Sequence, residues 1–444
     1  MPQAALAPPR PAVSALLAEW GRSPDDPRLE VDARDEMLGF LRELHGGDEE
    51  QALAAYYRSG AAIAAVYLQV LRWRFGKASA VPSLLDFASG YGRVTRFLLD
   101  AVPARALTAA DVLPGAVAFQ RRTFGVQAAA SATRPEELEL PGPFAAILVT
   151  SLFTHLPDAR FRSWLAALLA RLAPGGVLAF STHDLALLPP EQRTARGLVF
   201  QPHSEIADLA VEDYGSTWVD ESFVRDALAA TGRRVAARRF TRALLNHQDL
   251  WLVVDEVDGA DAFAGLQLQS EPEVVVEECE LASGSLALAG WAHARQGTVA
   301  RVEASLDGVR LGAAVVDQPR ADVAAVLGPG AERSGWGLRL ALPPSFSPVD
   351  SVLLLRAVDR AGHAHPVWVG RPLVLALQSR ALQAREARAA LHVARRELAE
   401  HRAWAAHEIE GLRATVAAMR ASRFWKLRDA WFTVKRALRL TDES

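Results

Sequence analysis

Between residues 83 and 181, short apolar runs alternate with helical patterns, and this alternation limits the fold more than any other feature of the chain. The runs cover 83–87, 106–112, 126–131, 144–151 and 177–181. Helical patterns follow at 94–101, 116–123 and 158–172. Strand–helix alternation needs crossover connections, which are right-handed and build a mostly parallel sheet with helices on both faces. The expected class is therefore α/β. Ligands of such sheets sit beyond the carboxyl ends of the strands, where the strand order reverses.

The first run climbs into a loop of small residues. Positions 84–93 read Leu-Leu-Asp-Phe-Ala-Ser-Gly-Tyr-Gly-Arg. Small residues let a ligand approach the backbone, and the following helix offers free N–H groups. A dinucleotide loop would need a third glycine where Thr95 stands. Asp86 at the loop mouth also repels pyrophosphate and suits a ligand with a cationic head. Asp111 ends the second run, nineteen positions after Gly92. A carboxylate there can accept both hydroxyls of a ribose, or it is an ordinary strand-end acid.

Asp86, Phe87, Ala88, Ser89, Gly90, Tyr91 and Gly92 resemble the cofactor loop of class I S-adenosylmethionine (SAM)-dependent methyltransferases, with Ala88 in place of the first glycine. Gly-Tyr-Gly-Arg-Val-Thr-Arg from Gly90 resembles the bacterial form of that loop. Ser-Leu-Phe-Thr-His-Leu at 151–156 and the run 172–183 are similar to later family segments, while Ala145 departs from the family's Phe-Asp. The resemblance spans roughly residues 50–255. It implies a Rossmann-like sheet and SAM as cofactor. Residues 86–92 would then hold the methionine end and Asp111 the ribose, with Val112 against the adenine. Ser131 stands where many relatives carry an acid facing the adenine. Ser151 and Phe153 would lie under the cofactor.

Two histidines are candidate bases. His155 is near the implied methyl-transfer point, or it caps the next helix. His247, between closing runs at 235–241 and 249–255, faces the site or holds the turn. Tyr56-Tyr57-Arg58-Ser59-Gly60 either folds over the cofactor or packs. The insertion 185–222 is where acceptor contacts would be built.

Five segments follow from the pattern: an irregular arm at 1–30, a methyltransferase domain with N-terminal helices at 31–258, a small all-β sandwich at 272–373, a long helix at 376–420, and a basic aromatic tail at 421–444. The sandwich rests on short runs at 286–293, 299–306, 309–316, 335–342 and 352–358, and it resembles an immunoglobulin-like module. Leu377, Ala384, Leu391, Leu398, Ala405, Leu412 and Met419 repeat every seven residues, which points to self-association through 376–420. Residues 422–440 carry an apolar stripe among basic residues, fit for a membrane surface or for docking on a protein. A formal charge of −3 gives no case for nucleic acid, and the single cysteine, Cys279, excludes an internal disulfide and a Cys-rich metal site. The expected setting is the cytoplasm, at the inner face of the membrane if the tail binds lipid. The expected activity is methyl transfer to an acceptor oxygen or nitrogen, on a sugar of a bacterial surface polysaccharide. The alternative is a non-catalytic scaffold on the same fold that recruits glycan-assembly enzymes.

Overall fold

A computed structural model describes residues 10–202, 214–256 and 261–438, and the chain divides into two units, 1–377 and 378–444. The first unit opens with α1 (Pro11–Glu19), α2 (Glu36–Leu44) and α3 (Glu49–Phe75). Asp35 caps α2 and Asp48 caps α3, each accepting two backbone N–H groups of the first turn. Then come β1 (Leu84–Phe87), α4 (Thr95–Leu98), β2 (Leu107–Asp111), α5 (Pro114–Phe124), β3 (Gln127–Ala130), β4 (Phe144–Val149), α6 (Asp158–Ala170) and β5 (Leu172–Asp184). A hairpin of β6 (Leu198–Pro202) and β7 (Gly215–Val219), α7 (Glu221–Ala229), β8 (Val235–Leu244) and β9 (Gln248–Asp255) complete the sheet.

Strands β3-β2-β1-β4-β5 are parallel and lie in that order; β9 and then β8 close the far edge of β5 antiparallel. The order reverses between β1 and β4, which opens a crevice at their carboxyl ends. Alternate residues feed two cores. Leu84, Leu107, Ala146 and Leu148 face one, and Leu85, Phe87, Ile147 and Val149 the other. The α/β class with a Rossmann-like sheet is as expected.

Four local expectations are corrected. The segment expected to be an irregular arm contains α1: Pro11 sits in its first turn, where proline lacks no needed N–H, and Ala12, Val13, Leu16 and Leu17 are buried. The helix expected at 94–101 shrinks to α4. Pro174-Gly175-Gly176, expected as a turn, lies inside β5, at a register shift against β4. The insertion 185–222 is not wholly irregular, because β6 and β7 form a ribbon within it. The rest of its contact candidates, 203–213, lie outside the described residues.

A second pair of sheets shares one core. It comprises β10 (Glu273–Ala282), β11 (Ser285–His293), β12 (Arg301–Leu306), β13 (Val309–Val315), a short helix α8 (Ala321–Leu327), β14 (Gly335–Ala341), β15 (Leu353–Val358) and β16 (Ala364–Gly370). Sheets β10-β11-β14 and β13-β12-β15-β16 are antiparallel. Trp336 is fully buried between them, with Leu286, Leu288, Val302 and Leu355 in the same cluster. This sandwich is fastened to the helices of the first sheet. Arg356 pairs with Glu19 of α1 at 2.5 Å, and Gln51 and Arg58 of α3 donate to the carbonyls of Val369 and Val367.

Helix α9 (Pro372–Ala421) runs into the second unit, which also holds α10 (Arg423–Ala437), capped by Ser422. Leu391, Leu398, Leu412 and Met419 are exposed. No helix among the described residues is long and apolar enough to cross a membrane.

Candidate functional site

The site is built at the carboxyl ends of β1, β2 and β4. After β1 the backbone turns through three left-handed residues, Ala88 (φ 55°), Gly90 (φ 54°) and Gly92 (φ 77°). A side chain at Gly92 would strike Phe124 at 2.3 Å, so glycine is required by packing as well as by φ. A Cβ at Gly90 would meet nothing within 4 Å, so the loop faces open space there. Ala88 takes the conformation that the family pattern gives to glycine, at a cost of about 1–2 kcal/mol.

Two carboxylates support this loop. Asp111 accepts the Gly90 N–H at 2.7 Å through Oδ2 and the Leu113 N–H at 2.9 Å through Oδ1. Each oxygen keeps a further lone pair for a hydroxyl donor. Burial raises the Asp111 pKa, opposed by its backbone N–H partners at Leu113, Gly90 and Val112. Asp86 is buried beneath the loop and accepts from the Thr95 hydroxyl at 2.6 Å. Burial pushes its pKa up to about 6; the Thr95 bond opposes this and the Asp111 charge adds to it.

Asp86 has a consequence for stability. Between about pH 4 and 6 the folded chain holds a proton that the unfolded chain has released. Its contribution to stability therefore falls as pH rises through that window, by about 3 kcal/mol in all. Asp86→Asn should remove this slope, measured as urea midpoints from pH 4 to 7. An unchanged slope would show that Asp86 titrates normally.

The other loop positions divide. Gln120 of α5 donates to the Ser89 hydroxyl and the Gly90 carbonyl, both at 2.7 Å. Phe87 and Tyr91 turn away from the crevice: Phe87 packs against Trp164 and Tyr91 against Phe119. They can serve a ligand only by their backbone. Val112 is half-buried after β2, and the Ser131 N–H donates to the Asp111 carbonyl at 2.8 Å. Tyr56 and Tyr57 are packing residues; Tyr56 donates to Asp35 and Tyr57 to the Leu29 carbonyl.

Arg96 is the largest feature that the sequence concealed. It has no solvent exposure. Its guanidinium donates to the carbonyls of Gly92, Arg28 and Glu30, and lies over the rings of Tyr56, Tyr57 and Phe124. The glycine loop is thus stitched to the segment before α2 and to α3.

Beyond β4 and β5 three histidines gather. Ser151, with φ 62°, takes its N–H to the Ser181 hydroxyl and accepts from Gln248 at 3.0 Å. The His155 ring lies flat on Tyr214, with centroids 4.6 Å apart. Its Nδ1 is 2.7 Å from the Gly215 carbonyl. A carbonyl only accepts, so Nδ1 carries a proton. His247 similarly donates from Nδ1 to the Leu245 carbonyl in the β8–β9 turn. Between them stands His183, at the end of β5, with ring centroids 6.1 Å from His247 and 6.0 Å from Trp218 of β7. Burial lowers its pKa to about 4, helped by the nearby His247 and His155. Among the described residues, the buried His183 Nδ1 has no hydrogen-bond partner.

His183 was missed as a site residue, although it ends the recognised run 172–183. Its signal was position alone, one residue before the end of a parallel strand. Strand β7 completes the wall. Gly215 and Thr217 donate backbone N–H groups to the carbonyls of His155 and Thr154, and Trp218 and Val219 pair with His183 and Asp184. Arg239 bridges Asp184 and Asp249 at 2.7 and 2.6 Å, which fixes the ends of β5 and β9.

Residues 84–176 match the family described as a methyltransferase domain. The matched stretch runs from β1 into β5 and contains the glycine loop, Asp111 and His155. The chain thus carries a methyltransferase domain. No curated protein sequence matches it. Among solved structures, an amino pentose methyltransferase from Micromonospora echinaspora with SAM bound is 19% identical, covering 45% of this chain and 92% of that one, with a TM-score of 0.33. A glycopeptide N-methyltransferase complexed with SAM is 18% identical over 44% of this chain and 94% of that one, TM-score 0.33. A SAM-dependent methyltransferase from Clostridium acetobutylicum is 12% identical over 51% of this chain and 100% of that one, TM-score 0.35.

Proposed function

We propose that this chain transfers a methyl group from SAM to an oxygen or nitrogen of a sugar, in the assembly of a bacterial surface polysaccharide. The observation that carries the reading is the pairing of one crevice with two kinds of wall. On one side stand the glycine loop and Asp111, and on the other the histidines and aromatic rings. The lone pairs left on Asp111 suit the two ribose hydroxyls, and the open space at Gly90 suits a ligand lying against the backbone. SAM, when bound, supplies an activated methyl on a sulfonium. The task left to the protein is to align the acceptor and take its proton. The flat rings of Tyr214 and Trp218 suit the apolar face of a sugar, with histidine nitrogens at its hydroxyl edge.

His155 is our choice of base, because imidazole titrates near neutrality and the contact of Nδ1 with the Gly215 carbonyl holds the ring in the wall formed with β7. His183 stays neutral at physiological pH and would accept a hydrogen bond that orients the acceptor. His247 lies on the exposed rim. The test is transfer of labelled methyl from SAM into fractionated cell glycans. His155→Ala should lower kcat by about 10²–10⁴-fold, and His183→Ala should raise KM for the acceptor, both with SAM affinity unchanged. Wild-type rates in both variants would remove the histidines from the mechanism. SAM binding without turnover on any extract would favour the scaffold reading, and label found only in proteins or small amines would overturn the sugar acceptor.

A further inference from the structure

We propose that α10 is a peripheral membrane-binding helix that lies on an anionic lipid surface. Successive residues of an α-helix are separated by about 100°. On that spacing Phe424, Leu427, Trp431, Val434 and Leu438 fall within an arc of about 80°. All five are exposed, Phe424 at 73% and Leu427 at 71%. Five large apolar side chains in one uncovered stripe need a partner in water.

The charges around the stripe identify that partner. Residues 423–437 contain Arg423, Lys426, Arg428, Lys435 and Arg436 against one acid, Asp429. Arg423 borders the stripe on one side, and Lys435 and Arg428 border it on the other. Long basic side chains at the rim of an apolar stripe reach the phosphates while the stripe enters the acyl boundary. Trp431 is 59% exposed within the stripe, and such amphipathic rings favour the headgroup level. The remaining aromatics of the helix are treated differently: Arg428 lies over Trp425 at 4.1 Å and over Phe432 at 5.4 Å. Those two rings are off the stripe and already have a cation. A second copy of the helix is a poor occupant, because packing stripe on stripe would bring the bordering cations of both copies together. Anionic lipid neutralises them instead. This proposal stands independently of the reaction.

The test uses the full chain and vesicles of phosphatidylglycerol mixed with phosphatidylcholine, with phosphatidylcholine vesicles as the control. The intact protein should sediment with the anionic vesicles and stay in solution with the control. Arg423→Ala with Lys435→Ala, one cation from each rim of the stripe, should weaken binding about thirtyfold, at about 1 kcal/mol for each cation lost near the surface. Leu427→Glu with Trp431→Glu should abolish it. Thermal midpoints of the first unit serve as the folding control and should not move. Equal binding to both vesicle types, or no binding by the intact chain, would overturn the proposal. So would sedimentation equilibrium showing a dimer that Leu427→Glu and Trp431→Glu convert to monomer, since the stripe would then face a second copy.

Discussion

Arg96→Met is expected to destabilise the first unit by about 2–4 kcal/mol, because a fully buried guanidinium that serves several carbonyls is lost. The methionine keeps much of the apolar length but leaves the carbonyls of Arg28 and Glu30 without their guanidinium donor, while the Gly92 carbonyl keeps the backbone N–H of position 96. Each buried group left unpaired costs about 1–3 kcal/mol. Relief from burying a charge offsets part of this. Arg96→Lys should recover little, because one ammonium cannot reproduce a fork that reaches three carbonyls and stays over the rings of Tyr56 and Phe124. Urea unfolding followed by tryptophan fluorescence measures both variants. A loss below about 1 kcal/mol, the ordinary effect of a point mutation, would show that water replaces the guanidinium.

Asp111→Ala should abolish measurable SAM binding by calorimetry while the chain remains folded. Two effects add. The carboxylate that would accept the ribose hydroxyls is gone, and the Gly90 N–H loses the acceptor that sets the loop. Asp111→Asn separates them, since it keeps one oxygen for a backbone N–H but not the charge. We expect the asparagine variant to bind SAM at least about tenfold more weakly, equivalent to about 1.4 kcal/mol. Wild-type affinity in Asp111→Ala would refute the site.

The sheet was legible because its signal is local and repeated. Strands β1, β2 and β4 are buried on both faces and therefore read as apolar runs, as in Ala-Ala-Ile-Leu-Val from Ala145, whereas β3 at the edge is half open. The glycine loop was legible because its φ angles demand small residues. Other elements were hidden for definable reasons. Strand β16 contains Pro366, which removes a ladder donor, and only its place at the sheet edge and the register shift against Arg356 accommodate it. Strand β10 breaks its alternation at the shift between Val276 and Glu278. Arg96 reads as one basic residue among many, and nothing local announces that acceptors 66 and 68 positions away will enclose it. The histidine cluster is likewise a product of topology. His155, His183 and His247 come from three separate strand ends, and only the pairing of β5 with both β7 and β9 brings them to one edge.

The seam between α1 and the sandwich sets an order on biosynthesis. Glu19 finds Arg356 across 337 positions of sequence, and Leu16 and Leu17 share a core with Val352, Leu354 and Val369. At about 5–20 residues per second, roughly 15–70 s separate the emergence of these partners from the ribosome. Over that interval α1 can meet α3, where Glu50 accepts the Ala12 N–H, but not the sandwich. Helix α1 is thus made before the sandwich and fully covered only after it. A nascent chain interrupted before residue 370 leaves that helix face open to chaperones and proteases, even after the sheet that holds the glycine loop has been synthesised in full.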